Sequence, residues 1–204
     1  MSTDTRVIPA NHGKDLNFLK VPLLFRNDTY TDAFALKNNK TVAQTLAHPR
    51  YAGLSGLVLP KYAAHLDDAL GIFLLELKRE GDQSYRRFLN KYGDLSYCTF
   101  EICEAKYLNA IGVYAYFSGN ELMYIGRCKD SMKKRVNNGY GKIHPKNCYL
   151  DGQSTNCRLN ALIAVSRENV SLWLCPQSID EIDATEMHLI RMHQPTWNSQ
   201  HSQL

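Results

Sequence analysis

The chain has 204 residues, 44% hydrophobic and 22% charged, and a formal net charge of +4. This composition is ordinary for a globular protein, and the length allows one large domain or two small ones with a proper core. The longest apolar run, 69–75, is far below the roughly 20 residues that a membrane span needs, and the N-terminus carries no signal-peptide pattern. We therefore expect a cytoplasmic protein with no membrane contact.

The six cysteines are irregularly spaced and include no C-x-x-C pair. A chain of this length with an apolar core does not need a disulfide framework. We therefore expect most of the cysteines to be buried thiols in a reducing compartment.

The first half of the sequence predicts mainly helices. Residues 1–20 are polar and predict a loosely ordered arm, whereas 41–47 predict a short helix. Leucines and a phenylalanine then recur at helical spacing, which predicts a longer helix over 62–80. A second short helix is expected over 83–91, and 95–106 is a candidate strand or linker.

The second half has the pattern of a small layered structure of strands and helices. Two β-branched and aromatic segments, 111–117 and 121–126, flank a Ser-Gly-Asn turn and predict a β-hairpin. A helix from Asp130 to about Val136 and a long loop over 138–156 are expected next. They are followed by a helix over 157–166, a strand over 169–175 and a helix over 179–192. A Ser178–Glu181 capping box is expected to begin the last helix. The predicted fold class is α/β (α+β), with a hairpin-led sheet flanked by helices.

The last predicted helix places a carboxylate among apolar side chains. Glu186 shares a face with Ile182, Leu189 and Ile190 by the i, i+3, i+4 rule. A carboxylate in such surroundings is costly unless it is paired or binds a metal. The residues leave two interpretations open: an ion pair with an arginine or lysine of another element, or a metal ligand held at a cleft.

Two tyrosines occupy neighbouring strands of the predicted hairpin. Tyr114 and Tyr124 can lie close together across the strands, although strand tyrosines are usually core residues. Gly126 ends the second strand, where a backbone can approach a ligand closely. Arg135 follows on the helix that leaves this strand.

A cluster of cations follows the hairpin. Between 127 and 146, seven lysines and arginines stand against one anion, Asp130. Such a local excess suits a surface that faces phosphate, and a solvated helix face is the other interpretation.

Four short motifs occur in a fixed order in the second half of the chain. They are G-V-Y at 112–114, Y-I-G at 124–126, K-K-R at 133–135 and E-M-H-L-I-R-M-H-Q-P-T-W-N at 186–198. Together they resemble the motifs of the GIY-YIG nuclease family. The resemblance covers about half the chain, 106 to 200. Val113 replaces the usual isoleucine, Arg135 comes about one residue late, and Tyr140 is matched to the position where many members place His or Tyr.

The resemblance implies hydrolysis of a phosphodiester with one divalent metal ion, Mg²⁺, which Mn²⁺ could replace. Glu186 would be the protein ligand of this metal. Arg135 would hold the phosphate with its forked guanidinium.

The tyrosines of the motifs would act on the attacking water. Tyr114 would accept its proton, with a pKa lowered by Lys129, by Arg127 or by the metal. The remaining expected site residues are Tyr124 and Tyr140, which would position the water or the phosphate, and Asn198, which would support the site.

The resemblance implies DNA, double-stranded, as the partner, and it leaves a homo-oligomer open. The nuclease domain would be 106–204, preceded by a mainly helical region, 1–105, that supplies recognition or dimer contacts. We expect a sequence-specific type II restriction-like endonuclease, with a structure-specific or repair nuclease and a non-catalytic DNA-binding module as the alternatives. The residues expected to contact DNA are Arg127, Lys129, Lys133, Lys134, Lys142, His144 and Lys146.

Overall fold

The computed structural model describes residues 4–10 and 15–198, without the side chain of Asn27. Within these residues the chain is an α+β protein, as the sequence predicted. The strands are β1 (Thr5–Ile8), β2 (Leu16–Val21), β3 (Leu23–Tyr30), β4 (Tyr97–Ile102), β5 (Gly112–Ser118), β6 (Glu121–Cys128) and β7 (Val170–Pro176). The α-helices are α1 (Val42–Leu46), α2 (Ser55–Tyr62), α3 (Leu70–Arg79), α4 (Ala105–Leu108), α5 (Ser154–Ser166) and α6 (Ile182–His193).

Other helical segments connect these elements. A π-type helix runs over Lys133–Tyr140. The 3₁₀ helices are Ala33–Leu36, Pro49–Leu54, Ala63–His65, Gln83–Phe88 and Pro145–Cys148. Among the helices in the described ranges, none has the length and apolar character needed to cross a membrane.

The chain divides into two compact units, each built from separated stretches of sequence. Unit 1 comprises Met1–Asn27, Cys98–Lys142 and Leu162–Leu204, and unit 2 comprises Asp28–Tyr97 and Ile143–Ala161. The sequence suggested a boundary between 105 and 106. In the structure β1 and β2 belong to the same unit as the hairpin, because the sheet draws its strands from both ends of the chain.

The main sheet of unit 1 has five strands in the order β1–β2–β7–β5–β6. Alternation along β5 directs Val113, Ala115 and Phe117 into a core that residues of α6 complete. Tyr114 and Tyr116 therefore point to the opposite face of the strand. The sheet thus separates an apolar layer, packed on α6, from a layer that carries tyrosines.

The loosely ordered arm expected at the N-terminus is wrong for the residues that the structure describes there. β1 pairs with β2, and β2 pairs with β7 through Leu19, Lys20 and Val21. Phe18 is fully buried in the same core. The sequence is locally polar, and only the distant β7 stabilises these strands, so a local pattern could not predict them. Residues 1–3 and 11–14 of this segment lie outside the described ranges.

The long helix expected over 62–80 is interrupted. α2 ends at Tyr62 and α3 begins at Leu70, so the expected end is confirmed and the expected start is wrong. The carbonyl groups of Leu66 and Asp68 accept hydrogen bonds from the backbone N–H groups of Ala43 and Val42. These bonds to α1 hold the intervening residues out of a helix. The second short helix, expected over 83–91, is the 3₁₀ helix Gln83–Phe88.

The hairpin, α5, β7 and α6 form where the sequence predicted them, with ends that differ by a few residues. The segment 95–106, a candidate strand or linker, contains the strand β4. Asp130 is not the N-cap of the following helix, since Ser131 Oγ accepts from the N–H of Lys134 and Asp130 instead binds the Lys134 ammonium at 2.7 Å. That helix continues to Tyr140, so the loop expected over 138–156 is shorter than predicted.

The expected capping box before α6 is wrong, since neither of its two side-chain-to-backbone hydrogen bonds is present among these residues. The Ser178 hydroxyl donates to a carboxylate oxygen of Glu181 at 2.8 Å. The helix nevertheless begins at Ile182, and Glu181 itself is in the N-cap position without a side-chain cap. Ser178 and Glu181 are therefore in contact, but the sequence placed the start of the helix three residues too early.

Unit 2 has its own apolar core around α1, α3 and the 3₁₀ helices. Phe34, Leu70 and Leu74 are fully buried at its centre. Lys78, on α3, lies 2.6 Å from carboxylate oxygens of both Asp32 and Asp94. All six cysteines of the chain are free thiols, and all but Cys103 are buried, which confirms the expectation for most of them.

Candidate active site

Four tyrosines of unit 1 form a cluster of rings. Tyr114 and Tyr116 lie on β5, Tyr124 lies on β6, and Tyr140 ends the helix that follows the hairpin. The ring centroid of Tyr114 is 6.0 Å from that of Tyr124 and 6.4 Å from that of Tyr140. The Tyr116 hydroxyl donates to the Tyr140 hydroxyl at 3.3 Å. The structure thus brings together the three tyrosines that the motifs indicated and adds Tyr116.

Gly126 leaves the space that the ring of Tyr114 occupies. The two residues are paired directly across β5 and β6. A Cβ atom at Gly126 would lie 2.6 Å from Cζ and from the hydroxyl oxygen of Tyr114, and 2.7 Å from Cε1 of Tyr124. Side-chain carbon does not approach other atoms so closely, so any larger residue would displace a tyrosine. The glycine of the Y-I-G motif therefore sets the position of the Tyr114 hydroxyl.

Arg135 is the cation that acts on this cluster. Its side chain is exposed, and within residues 4–10 and 15–198 no carboxylate lies at ion-pair distance from it. Burial raises the pKa of Tyr114 well above its ordinary value, and the positive charge of Arg135 opposes this effect. The sequence had named Lys129, Arg127 or the metal for this role. The structure indicates Arg135 instead, and Tyr114 keeps its proton in the protein without ligands.

Glu186 is a largely buried carboxylate on α6. Its side chain is 18% exposed, and Oε2 lies 3.3 Å from Nε of Arg127. Burial raises the pKa of Glu186, while the charges of Arg127 and Arg135 oppose that rise. One of the two interpretations of Glu186, an ion pair with a cation of another element, therefore holds. Among the described residues Arg127 is the cation at ion-pair distance from Glu186, and its backbone also donates a hydrogen bond to this carboxylate.

Asp183 forms ion pairs with two cations, Arg127 and Lys129. Its carboxylate oxygens bind Nη1 of Arg127 at 2.7 Å and the ammonium group of Lys129. The hydrogen bond from Lys129 and the charges of both cations lower the pKa of Asp183, so it is ionised at neutral pH. Arg127 therefore lies between two carboxylates of α6, Asp183 and Glu186.

Asn198 is buried and binds the backbone of β6. Its Oδ1 accepts from the N–H of Ile125 at 2.9 Å, and its Nδ2 donates to the carbonyl oxygen of the same residue at 2.7 Å. The N–H of Trp197 also donates to the carbonyl oxygen of Met123. Because β6 is the edge strand of the sheet, these bonds satisfy backbone groups that no strand covers. Asn198 thus fixes the strand that carries Tyr124.

The other cations expected at the site are distributed over both units. Lys133 and Lys142 are exposed in unit 1, and Lys134 is paired with Asp130. His144 and Lys146 belong to unit 2, where Lys146 lies 4.0 Å from Asp151. The cation excess of the sequence is therefore partly neutralised by neighbouring carboxylates.

The residues of unit 1 suit a single divalent cation held by one protein ligand. Glu186 offers a largely buried carboxylate, 18% exposed, and Mg²⁺ commonly keeps most of its water ligands. A separate group in unit 2, His65, Asp68 and Glu76, has its ligand atoms within 4.8 Å of one another. These side chains are at least partly exposed, and His65 Nδ1 is already 2.7 Å from Asp68, so they form no more than an ordinary surface cluster.

Comparisons of the chain with protein-family models, with curated proteins and with solved structures find no match.

Two residues of the site were missed by sequence reasoning. Tyr116 follows Tyr114 by two positions, and the period of a strand places both on one face. Asp183 precedes Glu186 by three positions, which places both on one side of a helix. The spacing was therefore present in each case, but nothing local distinguishes Tyr116 from a core residue or Asp183 from a solvated charge.

Proposed function

We propose that the chain is a metal-dependent endonuclease of the GIY-YIG type that hydrolyses phosphodiester bonds in DNA. The observation that carries the proposal is the position of Arg135, whose charge acts on Glu186 and on Tyr114, Tyr124 and Tyr140. These residues come from four separate segments of unit 1. A forked cation, a carboxylate that can hold a metal and clustered hydroxyls are groups that suit phosphodiester hydrolysis. The order of the four motifs supports the same assignment.

Each residue has a role that its surroundings support. Glu186 would hold the divalent cation, which when bound supplies a Lewis acid for a phosphate oxygen. Arg135, without a carboxylate partner among the described residues, binds the scissile phosphate and stabilises the charge that develops on it. Tyr124 and Tyr140 orient the phosphate or the attacking water by hydrogen bonds, and Asn198 positions Tyr124 through β6.

Tyr114 is the candidate for the general base. A base needs the phenolate, whereas burial keeps Tyr114 protonated in the protein without ligands. Positive charge close to the hydroxyl has to lower its pKa before it can accept a proton. Arg135 supplies part of this charge. We therefore expect the cleavage rate to rise with pH above neutrality, because the phenolate fraction rises.

Within this class we infer a type II restriction-like enzyme that cuts double-stranded DNA in the cytoplasm. Unit 2 is a second compact unit of the chain, and it can carry sequence recognition. A structure-specific or repair nuclease remains the alternative, and a homo-oligomer fits either one.

The decisive experiment is digestion of a defined plasmid and of a branched duplex by the purified protein, with Mg²⁺ or with EDTA. Wild type is compared with Glu186→Gln, Arg135→Ala and the control Glu168→Gln, which changes an exposed carboxylate of unit 1. We expect discrete plasmid fragments with Mg²⁺ for wild type and for the control. Neither site variant should cleave.

The pattern of products separates the alternatives. Cleavage of the branched duplex alone would favour the structure-specific nuclease. DNA binding without cleavage of either substrate, with Mg²⁺ or with Mn²⁺, would reject the enzyme and leave a binding module. Cleavage that survives Glu186→Gln would reject the proposed metal ligand.

A further inference from the structure

A pocket in unit 2 is lined mainly by polar and cationic side chains. Its volume is about 460 Å³. It lies between the chain that follows the 3₁₀ helix Ala33–Leu36 and the start of the 3₁₀ helix Pro145–Cys148. The lining residues are Leu36, Lys37, Asn38, Asn39, His144, Pro145 and Lys146.

Lys37 is the unusual member of this lining. It is only 8% exposed, and its Nζ lies 4.4 Å from the ring centroid of Tyr149. Buried lysines are rare and are normally paired, because an unpaired buried charge is costly. The Lys37 side chain is buried as a whole, but its ammonium group is not among the buried polar atoms without a partner, so it reaches the pocket. The Tyr149 ring contacts the ammonium group, and no carboxylate of the described residues lies at ion-pair distance from it. A cation held in this way at an open pocket indicates a site for an anion.

Two of the three charges that act on Lys37 are positive. Burial has the largest effect on the pKa of Lys37 and lowers it. The charge of Asp151 raises this pKa, and the charges of Lys40 and Lys146 lower it. Asp151 is itself engaged by the Tyr51 hydroxyl at 2.5 Å. Lys37 and Lys146 therefore share the carboxylate of Asp151, and an anion in the pocket would reduce the repulsion among Lys37, Lys40 and Lys146.

The neutral groups of the lining add hydrogen-bond donors. Nδ1 of His144 accepts from the N–H of Lys146 at 3.2 Å. In the neutral imidazole the proton therefore resides on Nε2, which becomes a donor. Asn38 and Asn39 are exposed and bring amide N–H groups. A cation with several surrounding donors matches the oxygens of a phosphate group.

We propose that this pocket binds a phosphate group through Lys37, and that in the intact enzyme the group belongs to the DNA backbone. The anion site depends on unit 2 alone. Its assignment to DNA rests on the proposed nuclease function and gives unit 2 a direct part in substrate binding. A backbone phosphate positions the duplex without reading its sequence.

The test measures the affinity for a labelled duplex in EDTA, by fluorescence anisotropy at several salt concentrations. Lys37→Met keeps the apolar stem on Tyr149 and removes the charge. If Lys37 contacts one phosphate, the variant should show a slope of log affinity against log salt concentration that is smaller in magnitude by about 0.9. It should also bind the duplex about eightfold more weakly at 0.1 M salt. The control is Lys91→Met, since Lys91 also lies over a tyrosine ring of unit 2, at 4.8 Å, but is exposed. Lys37→Arg, which keeps the charge, should restore most of the slope.

A second arm distinguishes the source of the phosphate. The melting temperature of each variant is measured in inorganic phosphate and in chloride at equal ionic strength. A phosphate stabilisation that Lys37→Met removes, without an effect on DNA binding, would support the pocket and reject its assignment to DNA. The phosphate site would be rejected if Lys37→Met changed neither the DNA affinity nor the stabilisation by phosphate. It would also be rejected if Lys91→Met reduced them as much as Lys37→Met. DNA binding that depends on Lys37 without any cleavage would leave the pocket in place and reject the nuclease.

Discussion

At the scale of single residues, Glu186, the proposed metal ligand, is expected to lower the stability of the folded protein at neutral pH. Burial raises its folded-state pKa above that of an exposed glutamate. A carboxyl group of this kind contributes stability that is present below the unfolded-state pKa, near 4.3 for an ordinary glutamate, and is lost as pH rises through the folded-state pKa. At neutral pH the ionised side chain therefore destabilises the protein when no metal is bound.

Glu186→Gln should consequently raise the melting temperature in EDTA at pH 7, by an amount that shrinks as pH falls towards 4. Arg127 keeps Asp183 as its partner in the variant, so no cation is left unpaired. Wild type should gain stability on addition of Mg²⁺, and the variant should not. Thermal unfolding across this pH range provides the measurement. A variant that melts below wild type at pH 7 in EDTA would contradict the argument.

Asp183 competes with phosphate for Arg127 and Lys129. It holds both cations in the protein without DNA and stays ionised at neutral pH. Asp183→Asn should release these cations and tighten DNA binding, by up to about eightfold at 0.1 M salt if one phosphate contact is gained. Anisotropy in EDTA measures the change. The matched control is Asp130→Asn, which frees the exposed Lys134. Equal gains in the two variants would mean that only net charge matters.

At the scale of elements, the position of β6 depends on Asn198. Its amide binds both backbone groups of Ile125 on the open side of an edge strand. Asn198→Ala should destabilise the protein by about 1–3 kcal/mol, because buried backbone groups lose their partners. Urea denaturation measures this loss. Asn198→Asp should be no better, since its oxygen would face the carbonyl of Ile125. An unchanged denaturation midpoint for Asn198→Ala would refute this role.

The elements that the sequence predicted are those whose pattern is local. The hairpin has a turn with Gly119 in a left-handed conformation, φ 58°, between two β-forming segments. α6 has its apolar residues at helical spacing, and Glu186 was recognised because it breaks that pattern. By contrast, β1 and β2 depend on β7, and the break before α3 depends on hydrogen bonds to α1. Neither partner is visible in a local window.

The same distinction holds for the site. Tyr114, Tyr124 and Arg135 were found because short motifs fix them relative to the hairpin. Asp183 and Lys37 were not, since an exposed helix carboxylate and a lysine near a turn are common features of any surface. Only the fold reveals that one binds two cations and that the other is buried in a pocket. Sequence thus predicts groups that act through local spacing better than groups that act through tertiary surroundings.

At the scale of the whole molecule, the sheet that carries the proposed site residues depends on strands from the N-terminal region. The segment 106–204 would be the nuclease domain if the sequence boundary held. It lacks β2, which pairs with β7, and with it the buried side chain of Phe18. It also retains Ile143–Ala161, whose packing partners in unit 2 would be missing. Loss of one buried phenylalanine alone costs about 3–5 kcal/mol, a large part of the stability of a typical domain.

A fragment spanning 106–204 should therefore fail to unfold cooperatively, although it contains every motif of the resemblance. The full chain should show a sharp transition in near-ultraviolet circular dichroism and in heating experiments. The fragment should show neither, and it should not cleave DNA. A fragment that melts sharply and cleaves in Mg²⁺ would demonstrate that the sheet is complete without β1 and β2. In that case 106–204 would be an independent domain, as the sequence suggested, and β1 and β2 would not be essential to it.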